Sequence, residues 1–279
     1  MPPGTAIDAS DPDAWAFPRG TKLWKAFALG DRPLETRFIE HQADGTWRFA
    51  TYVWNDAGTD AVLAPARGVT LTGVSGAPRG RYVVPSRGDC LVCHGSAPVP
   101  VLGFAALQLS PDRDPKAVGA PPMRQGDADL RSLVKQGVLR NPSPKLLATP
   151  PRIPAATPTE RAALGMLHGN CAHCHNTSEN RVPLALTRAQ GVADPIGRYQ
   201  DVLRTTVNAR SRWRAPHDES DTGVQVVVPG RPASNVLAIR MESRHAATQM
   251  PPLGTELPDA ASVELIHRSR WARRVLSSI

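Results

Sequence analysis

Cys171, Ala172, His173, Cys174 and His175 follow one another in the second half of the chain, and Cys90, Leu91, Val92, Cys93 and His94 repeat the same Cys-x-x-Cys-His order upstream. Two thiols separated by two residues lie on one turn of chain and can add across two vinyl groups of one porphyrin edge. The histidine that follows brings an imidazole beneath the iron. The chemistry this spacing serves is covalent attachment of a c-type haem, with Cys90, Cys93, Cys171 and Cys174 as attachment residues and His94 and His175 as proximal iron ligands. All 4 cysteines of the chain fall in the two motifs. Histidine is 8 of 279 residues, so chance alone would place His after a given CxxC about 3% of the time and after both about 0.1% of the time.

Two other uses of the same thiols compete. Two CxxC pairs can offer four thiolates to one tetrahedral zinc ion, but zinc gives no reason for a histidine after each pair. A thioredoxin-like dithiol requires a βαβ context that surrounds neither pair. Two covalently bound haems, and with them iron, are therefore the expected cofactors.

An electron-transfer haem with six ligands needs a second axial group, usually Met or His. Met250 lies in Gln249, Met250, Pro251, Pro252 and Leu253, where prolines stiffen a loop that must aim a soft thioether at iron. It is the expected distal ligand of the second haem. For the first haem Met123, which follows Pro121 and Pro122, repeats that context in weaker form; His41, another histidine or an open position are the alternatives. Met166 and Met241 fit helix cores. His173, an intervening residue, is expected to point away from the iron, and His217, His245 and His267 read as surface residues. Neither a Ser/His/Asp or paired-carboxylate constellation nor a phosphate-binding glycine loop is present, so no catalytic residue is assigned.

The elements that must position these groups follow from patterning. Residues 1–15 read as a flexible lead-in. Residues 34–41 and 46–55 flank an Ala43-Asp44-Gly45 turn, and the second arm is rich in β-branched and aromatic side chains with period-two character. With shorter strands at 69–74 and 81–84, residues 16–85 predict a small antiparallel β unit that scaffolds or caps the first haem. The first haem region spans 86–140, with helices expected at 103–110 and 127–139. Six prolines within 141–158 mark a linker at 141–157. Thr157 as N-cap, Pro158 at the first helical position and Glu160 as the reciprocal partner predict a helix that delivers the second motif. Further helices are expected at 198–207, after Ser234, and at 258–276 with Asp259 as its cap.

Composition agrees with short elements joined by ordered loops: Pro reaches 28 and Gly 22, while only 5% of residues are aromatic. The formal net charge of +8 is dispersed and accompanies no nucleic-acid motif, which favours a redox protein with a mildly basic docking face. There is no apolar run long enough to span a membrane. The chain opens without a leader, whereas bacterial haem attachment takes place outside the cytoplasm. The expected location is periplasmic, the leader being trimmed or the start misassigned.

The segments GNCAHCHN, VVPGRPASNVLAIRM and MPPLG resemble bacterial class I cytochrome c domains. The chain from about residue 16 to 275 resembles a family of exported bacterial dihaem c-type cytochromes, on the pieces at 20–27, 35–38, 47–61, 84–94 and 102–109. That resemblance implies an α+β chain: a small N-terminal antiparallel β unit, then two mainly α-helical cytochrome c-like haem domains, the second over 158–279. It also implies haem roles for Cys90, Cys93, His94, Cys171, Cys174, His175 and Met250, and a redox protein partner such as a periplasmic dehydrogenase. The expected function is electron transfer from such a donor to a downstream acceptor; the alternative is a dihaem peroxidase or oxidase with an open first haem.

Overall fold

The computed structural model describes residues 1–112, 117–118, 123–176, 184–186, 197–214 and 224–269, the side chains of 197–201 and 232 excepted. The chain opens with a two-residue strand, β1 (Ile7–Asp8), which pairs in parallel with the distant β8 (Leu139–Arg140). Residues 1–15 thus contribute a strand, and Ile7, Ala9 and Trp15 are buried in a core with Phe17, Val101, Leu130 and Leu139. The apolar side chains at 7, 9, 15 and 17 are covered by several distant segments: Trp47 and Phe104 meet the Phe17 ring edge-on, and β8 returns to pair with β1.

Next comes an antiparallel sheet of β2 (Lys22–Leu29), β3 (Arg32–His41), β4 (Trp47–Trp54) and β5 (Ala61–Leu63), in that order. Its alternating side chains separate two faces. The register pairs Leu23 with Ile39, Lys25 with Arg37 and Phe27 with Glu35 across β2 and β3, then Ile39 with Phe49 across β3 and β4. These residues share the face turned toward the first Cys-x-x-Cys-His motif. Trp24, Phe38 and Tyr52 share the other, where Trp24 and Tyr52 are exposed. A second hairpin, β6 (Val69–Thr72) with β7 (Arg81–Val84), leads directly into α1 (Arg87–His94).

Gly68 lets that junction close. Its φ of +76 lies in the left-handed region, and a Cβ there would stand 2.5 Å from the Val84 carbonyl oxygen and 2.9 Å from the Ser86 nitrogen. The preceding turn also receives the Arg87 N–H at the Ala66 carbonyl, 2.9 Å away.

The remaining helices are α2 (Leu130–Lys135), α3 (Pro144–Ala148), α4 (Pro158–Asn170), α5 (Gly197–Thr206), α6 (Val236–Glu242) and α7 (Ala260–Arg268). They correct the expected architecture. The described residues hold eight strands and seven short helices, the longest of 13 residues, and two mainly helical cytochrome c-like domains are not present. The first motif's helix packs against strand β4 and not against a helical bundle. The apolar spacing over 127–139 yields only α2, because Gly137 turns the chain at φ +69 and residues 139–140 extend to pair with β1. Residues 103–110 form turns, with Leu109 N–H bonded to Ala105 O at 3.0 Å.

A second core gathers Ile153, Ala163, Leu164 and Leu167 with Val202, Val227, Leu265 and Ile266, so α4 and α7 pack on each other. The proline-rich 141–158 stretch runs between the cores, giving Leu146 and Leu147 to the first and Ile153 to the second. Among the described residues no helix is long and apolar enough to cross a membrane.

Candidate functional site

A reciprocal capping box starts α1: Asp89 N–H donates to Ser86 Oγ at 3.1 Å, and Ser86 N–H donates to Asp89 Oδ2 at 2.8 Å. Fixed helical phase then puts Cys90, Cys93 and His94 at i, i+3 and i+4, on one side of the helix, while Leu91 and Val92 stay exposed. The His94 ring is held from both sides. Its Nδ1 lies 2.5 Å from the Pro100 carbonyl oxygen, and its plane leans on Phe49 with centroids 5.1 Å apart. A carbonyl only accepts, so Nδ1 carries the proton and the neutral ring keeps its lone pair on Nε2. Burial holds this imidazole below its ordinary pKa against the pull of the Pro100 bond, and the charges of Arg37 and Lys25 act in the same lowering direction.

Behind Cys90, β3 of the four-stranded sheet and β7 of the neighbouring hairpin supply a charged triad. Glu35 is 0% exposed. Its Oε1 accepts from Arg37 Nε at 2.8 Å and from the Tyr82 hydroxyl at 3.1 Å. Burial raises the Cys90 thiol pKa, with Arg37 opposing.

The second motif follows α4. Thr157 Oγ1 receives the Glu160 N–H at 3.1 Å as its cap, and Glu160 Oε2 returns the favour one residue earlier than expected, on the Ala156 N–H at 2.8 Å. Cys171 closes the helix, and a turn bonds His175 N–H to Cys171 O at 2.8 Å. Burial pushes the Cys171 thiol to about 12. It also lowers the His175 pKa, assisted by the neighbouring Arg240 charge.

Arg240 links this histidine to the expected distal ligand. Its backbone oxygen accepts the Met250 N–H at 2.8 Å, its Nε donates to Thr248 O at 2.9 Å, and its guanidinium lies 5.3 Å from the Trp213 ring centroid. The cap of α6 is Asn235, one residue after the Ser234 anticipated, and its buried side chain accepts from Ala238 N–H at 3.3 Å. The peptide before Pro251 is cis.

The two motifs, distant in sequence, touch in space. Ligand atoms of Cys93, His173 and Cys174 all lie within 4.8 Å of one another. Cys174 Sγ lies 3.5 Å from Val92 O, and Asn176 Nδ2 reaches Ser96 O at 3.1 Å. A shared hydrogen bond with Cys174 and burial push the Cys93 thiol to about 12, while His173 pulls it down. His173, expected to face away from its own iron, faces the other motif.

The other expected residues are dispersed. His41 bonds Phe17 O through Nδ1 at 2.9 Å and stacks on Trp47 at 4.4 Å. Met123 is half-buried beside a turn in which Arg124 N–H donates to Asp127 Oδ2 at 2.7 Å; no contact among the described residues sets it against His94. Met166 is buried in the second core, and Met241 packs on it. His267 pairs with Glu242 at 3.7 Å, and His245 is exposed. His217 and residues 270–276 of the expected last helix lie outside the described residues. Sequence reading missed Glu35, Arg37 and Tyr82, although Glu35 and Arg37 stand two apart in an alternating strand and so had to share a face. It also missed Asn176 and Arg240, for which no local signal exists.

The first motif sets two thiols one helical turn apart with an imidazole beside them, an apolar wall at Phe49 and the cations of Lys25 and Arg37 nearby, while the second holds its thiols and His175 in the turn after α4, beside Arg240; these are the residues that would hold a haem at each. No protein-family model, curated protein or solved structure matches this chain, so its function must be argued from these side chains alone.

Proposed function

We propose that the chain is a dihaem c-type electron carrier, with Cys90, Cys93 and His94 holding one haem and Cys171, Cys174 and His175 the other. The observation that carries this reading is the His94 ring. Its Nδ1 is committed to Pro100 O at 2.5 Å, the carbonyl partner that fixes the tautomer and orientation of a metal-ligating histidine. When bound, each haem supplies a one-electron iron couple whose potential follows axial ligation and burial. The chain's own residues attach it, orient it and screen it from water.

Met250 is the proposed sixth ligand of the second haem, supported by the bond of its N–H to Arg240, whose charge acts on His175. For the first haem the proposed residues are Met123 and His41; the bond of His41 Nδ1 to Phe17 O leaves only its Nε2 for that role. Electrons come from a dehydrogenase-type partner and pass to a downstream acceptor, in the periplasm, where attachment takes place. The test is export alongside haem-attachment machinery, followed by intact mass and reduced spectra. Two covalent haems are expected, C90A/C93A and C171A/C174A each losing one, and M250A turning one haem high-spin. A full-length folded chain with no covalent haem refutes the reading.

A second reading is favoured by one observation. Cys93, His173 and Cys174 offer three soft ligand atoms within 4.8 Å, enough for a zinc ion with one open position. Metal analysis of the isolated chain separates the two: zinc bound in one equivalent and lost in H173A supports the second reading, and haem without zinc supports the first.

A further inference from the structure

We propose that the two haem motifs form a single coupled redox unit, and that Asn176 is the positioning residue that clamps them together. This rests on the dihaem reading and goes beyond it, since two motifs in one chain need not touch. Here they do. Cys93 and Cys174 each immediately precede an iron-ligating histidine, and their sulfurs come within 4.8 Å although the contacting segments are 82 positions apart in sequence. Each sulfur is the atom through which a ring edge is bonded to the chain. The same contact that joins the sulfurs therefore brings the attached edges together.

Asn176 holds this contact. It is 6% exposed. Its amide nitrogen donates within its own motif to His173 O at 3.0 Å and Ala172 O at 3.2 Å, and across to Ser96 O of the first at 3.1 Å. The two amide hydrogens are shared among three carbonyls, so the side chain ties the turn of one motif to the segment just after the other. Truncation leaves the Ser96 carbonyl without that donor and lets the motifs move apart without touching either histidine.

The consequence is electrostatic. Charge placed at one site is felt at the other through a partly desolvated interior, where the effective dielectric is far below that of water. With a haem held at each motif, one electron placed on the first would disfavour the electron placed on the other.

The test uses the full chain carrying both haems, with an electrode as reductant. Soret circular dichroism is expected to show a bisignate couplet. Each haem's electron affinity is expected to fall at least about tenfold when its neighbour is reduced, about 59 mV for a one-electron couple. C90A/C93A and C171A/C174A, each with one haem, should lose the couplet and titrate as simple one-electron centres. N176A should keep both haems and both proximal ligands while the couplet shrinks and the interaction weakens; N176Q, which restores an amide donor, should recover part of it. Two attached haems with a monosignate Soret band and independent potentials overturn this inference and leave the dihaem reading standing. N176A with an undiminished couplet overturns the role of Asn176. A folded chain without covalent haem overturns both proposals.

Discussion

Replacing Glu35 by alanine removes the anchor of the charged triad behind the first motif. The side chain is 0% exposed, Arg37 meets its Oε1 at 2.5 Å, and the Tyr82 hydroxyl donates to the same oxygen at 3.1 Å. Its Oε2 has no hydrogen-bond partner in the described structure, so the carboxylate bears a desolvation penalty that only one of its oxygens offsets. Breaking a buried ion pair by deleting one partner costs about 3–5 kcal/mol. The Arg37 side chain is 37% exposed, and water can take up its freed guanidinium, which places the cost at or below the lower end. Loss of the unpartnered oxygen returns roughly 1 kcal/mol, and the stranded Tyr82 hydroxyl costs about as much. The net expectation is a loss of about 2–3 kcal/mol, or roughly 4–12 °C in melting temperature at about 2–4 °C per kcal/mol. Thermal and urea unfolding of wild type, E35A, Y82F and the double variant measure it. Because Glu35 and Tyr82 share a hydrogen bond, the double variant should lose less than the sum of the singles by about 0.5–1 kcal/mol. If E35A unfolds within about 0.5 kcal/mol of wild type, or if the two losses simply add, the triad does not support this face of the sheet.

Two further outcomes follow from the same region. Burial, with the Glu35 charge next, raises the Tyr82 pKa from 10.0 to about 12, so the native chain holds that proton more tightly than the unfolded chain does. The resulting stability is complete below pH 10 and is lost as pH rises toward 12. Two units would be about 2.7 kcal/mol in full, reduced to about 1 kcal/mol or less because the side chain is only partly buried and is screened by solvent; Y82F should lack this part of the alkaline loss in a pH series of urea midpoints. At Gly68, alanine must adopt φ +76 with its Cβ 2.5 Å from Val84 O. G68A should therefore cost more than about 2 kcal/mol and reduce haem loading at the first motif more than at the second, read as the ratio of covalent haem on tryptic peptides; equal loading would mean that the β7 to α1 junction does not control that site.

Where local chemistry suffices, the structure could be read from residue order. Alternation in β3 and β4 places the hairpin, and Thr157 and Asp259 cap the helices they were expected to cap. What escaped depends on distance along the chain. Nothing near Ile7 indicates a partner at Leu139, and the helical period of 130–138 is cut short because that pairing and the left-handed Gly137 prevail over propensity. Ser234 and Asn235 are equivalent caps by residue type, and only the packing of Asn235 into the core selects between them. The approach of Cys93 to Cys174 is likewise invisible locally, since each motif is complete by itself.

The β1 to β8 pairing sets a timetable for the growing chain. Asn141 Nδ2 bonds Asp8 Oδ2 at 2.7 Å across 133 positions, so the first strand and the apolar residues beside it wait for most of the first half of the protein to be made. Cys90, Cys93 and His94 emerge within that interval. A ring of chain this long closes late, because its entropy must be overcome before any of its contacts form. The first motif lies inside the long loop of chain that this pairing closes, so the β1 to β8 contact ties together the two ends of the segment that carries it.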